Sequence, residues 1–254
     1  MGGRIDVYLD IASLYSYLCF IYLRRDTPIY AAHGVEVVYH PVLLGAINQA
    51  TGNRPPSSLP AKARHGVYDV RRSCARAGVP ATRMPPDFMK RALTILPLRA
   101  LHHIQQHYPA ATFVAAFHYL FYVFWTPPNA DLRDPAVLRA ALCEAPVGFG
   151  DDSRPAASAD GGACLFAAQD VDAILQAAGE PAAKDLLRQA TDEALARGAY
   201  GAPWLWVRND AGEEEPFFGS DRFHFVYQFL GLPYQDVALL KAPQAERAVS
   251  DSKL

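Results

Sequence analysis

Two serines near the start of the chain lie at a spacing that could support chemistry. Ser13 and Ser16 follow an apolar strand pattern and precede an apolar helix pattern, so Ser13 lies at the entry to the first helix. A helix N-terminus offers free N–H groups and the positive end of the helix dipole, and a hydroxyl adds one more donor. This predicts a site for an anion such as a thiolate, whose pKa falls there from about 8.5 to roughly 3.5 to 7.5. A simple N-cap role for Ser13 is the alternative.

Cysteine and histidine usage excludes other chemistries. Ser13 and Ser16 occupy both positions of a Cys-x-x-Cys spacing, and a serine pair cannot exchange disulfides. The four cysteines are widely spaced, so we expect free and mostly buried thiols rather than a zinc ribbon or dithiol. They are Cys19, Cys74, Cys143 and Cys164. His103 and His107 have i, i+4 spacing, but no Glu or Cys completes a ligand set, so no metal is expected.

Two later segments carry further candidate groups. Ala202-Pro203 lies at the head of a strand pattern, where an X-Pro bond can be cis; an ordinary strand-initiating proline is the alternative. In Ser220-Asp221, either residue could cap the last helix, and the Asp221 carboxylate could bind an ammonium group. None of these segments decides the function alone.

Hydrophobic patterning predicts the elements that position these groups. A strand over residues 5–10, a helix over 17–24 and a strand over 35–40 form an opening β-α-β unit, and residues 45–60 are predicted to be loop. Helical patterns then fill most of the chain. They cover residues 61–77, 93–107 (beginning near Thr94), 110–125, 135–144, 166–178 and 181–197, with a loop predicted over 145–163.

Strand character returns only near the end of the chain. Residues 203–208 and 215–218 form a predicted hairpin, and 221–230 a closing helix. The order predicts an α/β, thioredoxin-like fold with an all-helical domain inserted between its β-α-β and β-β-α halves. The predicted domains are residues 1–60 with 198–236, the insertion 61–197, and a tail over 237–254.

Composition and termini limit the partners and the location. With 24 Lys and Arg against 26 Asp and Glu, the chain lacks the basic excess of nucleic-acid binders. No apolar run reaches the length of a membrane span, and the N-terminus enters a strand without room for a secretory signal. The chain ends in Ser252-Lys253-Leu254, a peroxisomal address read by an import receptor. We expect a peroxisomal protein, with the cytoplasm or mitochondria as alternatives.

Several stretches together resemble the kappa class of glutathione transferases from the first strand to the last helix. The most specific is Gly52-Asn53-Arg54-Pro55-Pro56, beside Leu59-Pro60-Ala61-Lys62. The others are residues 10–17, 41–45, 86–88, 198–203 and 218–222. The Gly-Asn-Arg-Pro-Pro stretch favours this class over 2-hydroxychromene-2-carboxylate isomerases and DsbA-like proteins, which share the fold.

The resemblance implies a role for each matched residue. Ser13 corresponds to the serine that donates to the glutathione sulfur, with Leu14 and Tyr15 in the same turn. Asn53 and Lys62 correspond to residues near the glycyl end. Ala202, before Pro203, pairs with the cysteinyl backbone; Ser220 and Asp221 bind the γ-glutamyl end, and Arg222 assists or orients Asp221. The chain departs from the family at Leu14, where proline is usual, and this leaves the turn less rigid.

The resemblance implies a homodimeric detoxification enzyme that joins glutathione, as co-substrate and without a metal, to small electrophiles. Reduction of lipid hydroperoxides is equally compatible. Two alternatives stay open: a glutathione-dependent isomerase of the 2-hydroxychromene-2-carboxylate type, with Arg91 or Arg99 contacting the substrate carboxylate, and a non-catalytic peroxisomal glutathione-binding or interaction protein.

Overall fold

A computed structural model describes residues 2–149 and 163–235 of the chain. Most of the loop predicted over 145–163 lies outside these residues, as does the whole predicted tail over 237–254, which includes Ser252, Lys253 and Leu254. Among the described residues, no helix is long and apolar enough to cross a bilayer. The predicted domain boundaries stay a prediction.

A four-stranded mixed sheet is built from the two ends of the chain. Its strands are β1 (Gly3–Leu9), β2 (Val35–Pro41), β3 (Trp204–Asn209) and β4 (Glu214–Phe218). They lie in the order β2-β1-β3-β4, with β1 parallel to β2 and the other neighbours antiparallel. The predicted β-α-β and β-β-α halves are therefore confirmed, and they meet where β1 pairs with β3.

The helices agree with most of the predicted pattern. In the first half they are α1 (Leu14–Arg25), α2 (Thr27–Ala32) and α3 (Leu44–Thr51), followed by a short 3-10 turn (Pro56–Ser58). Then come α4 (Pro60–Arg76), α5 (Phe88–Arg91), α6 (Ile95–His107), α7 (Ala110–Trp125), α8 (Pro135–Glu144), α9 (Ala168–Gly179) and α10 (Pro181–Ala196). The last is α11 (Phe223–Phe229).

Two local predictions were wrong. Residues 45–60 are not all loop, because α3 forms where Ile47 is fully buried against Tyr8 and Trp204, and tertiary burial overrides the weak local pattern. Gly52, at φ +70°, then ends the helix. Neither Ser220 nor Asp221 caps α11. The N-cap is Arg222, without a side-chain bond, because the chain first turns at Gly219 with φ +97°.

One apolar core joins the sheet to the helices that follow it. Alternate β1 residues, Ile5, Val7 and Leu9, are fully buried on the face that α1 covers. The aromatic residues of α7 are mostly buried in the core, with Phe121 and Phe124 fully buried. Each such side chain contributes about 1.5–3 kcal/mol on burial, so the apolar face of β1 is a main anchor of the fold.

The opposite face of β1 carries an ion-pair network centred on Asp6. Arg4 binds the Asp6 carboxylate at 2.8 Å, His40 at 2.8 Å and Arg197 at 3.3 Å. Arg197 also donates to the Tyr8 hydroxyl at 2.7 Å, just beyond the end of α10. Burial alone would raise the pKa of Asp6, but the hydrogen bonds from His40 and Arg4 outweigh it and hold this pKa far below its usual value. The network thus fixes the end of α10 to the sheet.

We expect Asp6→Asn to lower the free energy of unfolding by about 3 kcal/mol at neutral pH, because it leaves two arginines without their shared carboxylate. Chemical denaturation measures this. The loss should shrink below about pH 4, since a carboxylate with a depressed pKa stabilises the fold only above its unfolded pKa. Asp172→Asn removes the exposed partner of Arg139 and serves as a control that leaves the unfolding midpoint unchanged. An Asp6→Asn midpoint equal to that of the control would contradict this account.

Candidate active site

Ser13 lies where the two halves of the sheet domain meet. It is the N-cap of α1, in extended conformation, and its Oγ accepts a hydrogen bond from the Ser16 amide at 3.1 Å. The same hydroxyl donates to the carbonyl oxygen of Ala202 at 2.9 Å. The N-cap role that the sequence left open for Ser13 is therefore observed, and the same hydroxyl also contacts the loop before Pro203. The amides of Leu14 and Tyr15 follow in the first turn, where no intrahelical acceptor exists.

The loop before β3 has the predicted cis-proline. The Ala202–Pro203 bond is cis, and the Pro203 carbonyl accepts from the Gly219 amide at 3.2 Å. This bond places the turn that contains Ser220 next to the proline. Ser220 is buried, and within the described residues its hydroxyl forms no hydrogen bond. Ser13, Ala202, Pro203 and Ser220 are thus brought together.

Asn53 connects a third segment to the same loop. Its side-chain amide donates to the Tyr200 carbonyl at 2.6 Å, and its carbonyl oxygen accepts from the Arg54 amide at 2.9 Å. A Cβ at Gly201 would lie 3.0 Å from the Phe218 ring and 3.4 Å from the Asn53 side chain, so a larger residue here would displace one of these side chains slightly. In this structure Asn53 therefore holds the loop that precedes the cis-proline.

Tyr15 connects α1 to α4. Its hydroxyl donates to Asp69 at 3.2 Å, and burial, reinforced by Asp69, raises the pKa of Tyr15 to about 12. Asp221 is near enough to add to this shift. Lys62 lies two helical turns before Asp69 and so shares its side of α4. Its ammonium is exposed and forms no ion pair with any described residue.

The Asp221 carboxylate is exposed and binds Arg222 at 3.0 Å. The ion pair does not distinguish between the two roles expected of Arg222, which are to assist Asp221 or to orient it. Neither Lys62 nor Asp221 forms a hydrogen bond with Ser13 in the described part of the chain. Both side chains are exposed and carry opposite charges.

Asp10 is a buried carboxylate whose role the sequence reasoning missed. It accepts from the amides of Ala12 and Leu44 at 2.8 and 2.7 Å and from the Thr94 hydroxyl at 2.6 Å. Its own carbonyl accepts from the Ser13 amide at 2.9 Å. Asp10 therefore fixes the turn before α1, the start of α3 and the start of α6 at one point. The bond to Ala12 has a local signal, because an aspartate accepting from the amide two residues on forms an Asx-turn.

Trp125 supports the same turn from α7. Its indole N–H donates to the Ile11 carbonyl at 2.8 Å, and its ring lies against Phe88 with centroids 5.7 Å apart. No local pattern predicted this contact. The turn that presents Ser13 is thus held by side chains from α6 and α7, which belong to the predicted insertion.

The described residues contain no cluster of His, Cys, Asp and Glu suited to a metal ion. The His103 and His107 rings lie 4.3 Å apart. All four cysteines are free. Cys19 and Cys74 are buried, but Cys143 is half-buried and Cys164 exposed, so the expectation of mostly buried thiols was only half right.

Sheet order and the serine at the start of α1 define a thioredoxin-like protein without a dithiol. Residues 4–147 match the DSBA-like thioredoxin domain, and the chain belongs to this family. It is 29% identical to glutathione S-transferase kappa 1 of Caenorhabditis elegans, over 91% of this chain and 92% of that protein. It is 28% identical to the 2-hydroxychromene-2-carboxylate isomerase of Sphingobium xenophagum, over 91% of this chain and 99% of that protein.

Comparison with solved structures supports the same fold. A structure of 2-hydroxychromene-2-carboxylate isomerase superposes with a TM-score of 0.65 at 18% identity, covering 90% of this chain and 94% of that chain. At this identity the likeness shows the fold alone. Overall sequence identity is therefore nearly the same for the transferase and the isomerase, and only the site residues can distinguish the two functions.

Burial of Asp10 generates a prediction about pH. Burial raises the pKa of Asp10 to about 6, although its hydrogen-bond donors act in the opposite direction. Because this pKa is above the unfolded value of about 3.9, the folded state binds more protons between these values, and stability falls as pH rises through them. Relative to the Asp10→Asn variant, we expect the free energy of unfolding of the wild type to fall by on the order of 3 kcal/mol as the pH rises from 4 to 7. Denaturation of both proteins at several pH values measures this, and parallel curves would contradict it.

Proposed function

We propose that the protein is a kappa-class-like glutathione transferase that conjugates glutathione to small electrophiles through a serine-stabilised thiolate. The observation that carries the proposal is the position of the Ser13 hydroxyl, at the N-terminus of α1 and 2.9 Å from the carbonyl before the cis-proline. A peptide thiol docked along the Ala202 backbone would place its sulfur at this hydroxyl. Kinship with kappa-class transferases over most of the chain supports the same activity.

The hydrogen bonds of Ser13 suggest how the thiolate is stabilised. The hydroxyl has one proton, which it donates to Ala202, while its oxygen accepts from Ser16. Glutathione pairing with the Ala202 backbone would supply that carbonyl with a new donor and release the serine proton to the sulfur. Ser13 then acts as a hydrogen-bond donor rather than as a base, and α1 adds its positive N-terminal field. The thiol proton passes to solvent, and a sulfur lone pair of the bound thiolate then forms the new C–S bond. The electrophile's leaving group departs with its bonding electron pair or, where the electrophile is an activated double bond, the π electrons take up a proton from solvent.

The remaining matched residues are suited to the two ends of glutathione. Lys62, whose ammonium pairs with no described residue, would bind the glycyl carboxylate, and Asn53 would contact the same end of glutathione. Ser220 and Asp221 offer a hydroxyl and a carboxylate to the γ-glutamyl end, whose ammonium Asp221 would bind. Leu14 is buried at the first helical position in place of the family proline, and it removes no polar group from the site.

We propose only a chemical class for the natural electrophile. Small soft electrophiles fit a thiolate nucleophile, and lipid hydroperoxides are an equally suitable oxidant for it. We further propose a homodimer, as the resemblance implies, and detoxification in the peroxisome. Support for the location comes from the terminal Ser252-Lys253-Leu254 and its fit to the import receptor.

A glutathione-dependent isomerase is the second candidate, because the isomerase of Sphingobium xenophagum aligns over 99% of its own length. That activity needs a cation for the substrate carboxylate. Arg91 donates to the Asn129 carbonyl and is engaged there. Arg99 is half-buried in α6, and its Nε has no hydrogen-bond partner among the described residues, which makes it the better candidate. Turnover of 2-hydroxychromene-2-carboxylate that Arg99→Gln abolishes would favour this function.

For the transferase, we expect Ser13→Ala to lower kcat/KM with chlorodinitrobenzene by roughly 30- to 1000-fold, equivalent to about 2 to 4 kcal/mol at the transition state. The loss follows from removing the hydroxyl that this proposal assigns as a donor to the sulfur. Steady-state kinetics at saturating and limiting glutathione measures it. Because the substitution also removes an N-cap, it should cost about 1 kcal/mol of stability, which denaturation checks separately.

Two variants make this test specific. Ser13→Thr keeps the hydroxyl and should retain most of the activity. Ser220→Ala removes a hydroxyl from the opposite end of glutathione and should raise KM for glutathione while leaving kcat nearly unchanged. Intact glutathione binding with no turnover in any of the proteins, wild type included, would refute the transferase and favour the non-catalytic alternative.

A further inference from the structure

The charges of the chain are unevenly distributed. The whole protein has 24 basic and 26 acidic residues, yet residues 54–91 contain nine Lys or Arg and only two Asp or Glu. The basic residues are Arg54, Lys62, Arg64, Arg71, Arg72, Arg76, Arg83, Lys90 and Arg91. The carboxylate of Asp69 accepts from Tyr15 and forms no ion pair with a described residue. This part of the molecule is strongly cationic, and the rest is net acidic.

Helix α4 presents most of this charge on a weakly covered surface. Only Cys74 of its seventeen residues is buried. Arg64, Arg71 and Arg72 are exposed, and none of them forms an ion pair with a described residue. Between them lie two exposed apolar side chains, Val67, which is 69% exposed, and Tyr68. Arg71 lies over the Tyr68 ring at 5.9 Å. The exposed surface of α4 is therefore both basic and apolar.

The segment after α4 extends this surface around the turn that presents Ser13. The Arg83 amide donates to the Trp125 carbonyl, and Phe88 packs on the Trp125 ring, which is itself bonded to Ile11. On the other side, Asp69 of α4 is bonded to Tyr15. Both segments thus flank residues 11–15. Met84, Met89 and Leu93 are exposed in this segment. We use the name basic rim for the surface formed by these three side chains and the exposed side chains of α4.

We propose that the basic rim docks on an anionic lipid surface. The Lys and Arg side chains of the basic rim would neutralise acidic headgroups. The apolar side chains Val67, Tyr68 and the methionines would enter the interfacial region of the bilayer, as in peripheral membrane binding. A second copy of the chain is a poor occupant, because symmetric pairing of this face would oppose two cationic helices. Nucleic acid fits the charge but leaves exposed methionines without a partner. This inference does not depend on the proposed transferase activity.

Co-sedimentation of the full chain with vesicles tests the proposal. We expect binding to vesicles of equal parts phosphatidylcholine and phosphatidylserine, no binding to phosphatidylcholine alone, and release at high salt. Replacing Arg64, Arg71 and Arg72 together with glutamine should weaken binding by about tenfold or more, because each basic side chain near an anionic surface contributes to attraction. The matched control replaces Arg139, Arg188 and Arg208 with glutamine, which gives the same net charge, and should retain binding.

Several outcomes would overturn the proposal. These are absence of binding to the anionic vesicles, equal binding to neutral ones, or equal loss in both triple variants. Tighter binding of polyuridylate than of vesicles at the same salt would assign the surface to nucleic acid instead. A change of oligomeric state in the α4 variant, measured by sedimentation velocity, would assign it to self-association. A thermal midpoint that matches the wild type verifies that each variant is folded.

Discussion

One hydrogen bond, from the Ser13 hydroxyl to the Ala202 carbonyl, joins residues that lie 189 positions apart in the chain. It forms only because β1 pairs with β3, which brings the two ends of the chain into one sheet. A serine at a helix N-terminus is common, and so is a proline at the head of a strand. Their contact places the Ser13 hydroxyl, the N-terminus of α1 and the loop before the cis-proline side by side.

The helices between the two halves support this contact rather than merely interrupting the fold. The Asp10 carboxylate accepts a hydrogen bond from Thr94 at the start of α6, and the Ile11 carbonyl accepts one from Trp125 at the end of α7. A buried carboxylate with three donors is costly to displace, since each lost partner leaves desolvated charge. The turn that presents Ser13 is consequently fixed from both sides, and the proposed thiolate site is preorganised.

Much of the fold could be predicted from sequence because its signals are local. Apolar periodicity located β1, α7 and α8 closely, and turn residues located the final hairpin. Prediction failed where distant contacts decide the structure. Helix α3 depends on the burial of Ile47 in a cluster that includes Trp204. Asp10 forms hydrogen bonds with Leu44 and Thr94, which lie 34 and 84 residues further along the chain. Ser13, Ala202 and Pro203 were predicted from local chemistry and family resemblance, whereas the residues that position them were not.

The central claim is that the site at Ser13 holds glutathione as a thiolate. The most direct measurement is the thiol pKa of bound glutathione, followed by ultraviolet thiolate absorbance across pH in the wild-type protein and without any electrophile. The account predicts a value well below the roughly 8.5 of an unperturbed thiol, because a helix N-terminus and a serine donor both favour the anion. Glutathione that binds with an unshifted pKa would contradict the account, and the site would then be a fold resemblance without transferase chemistry.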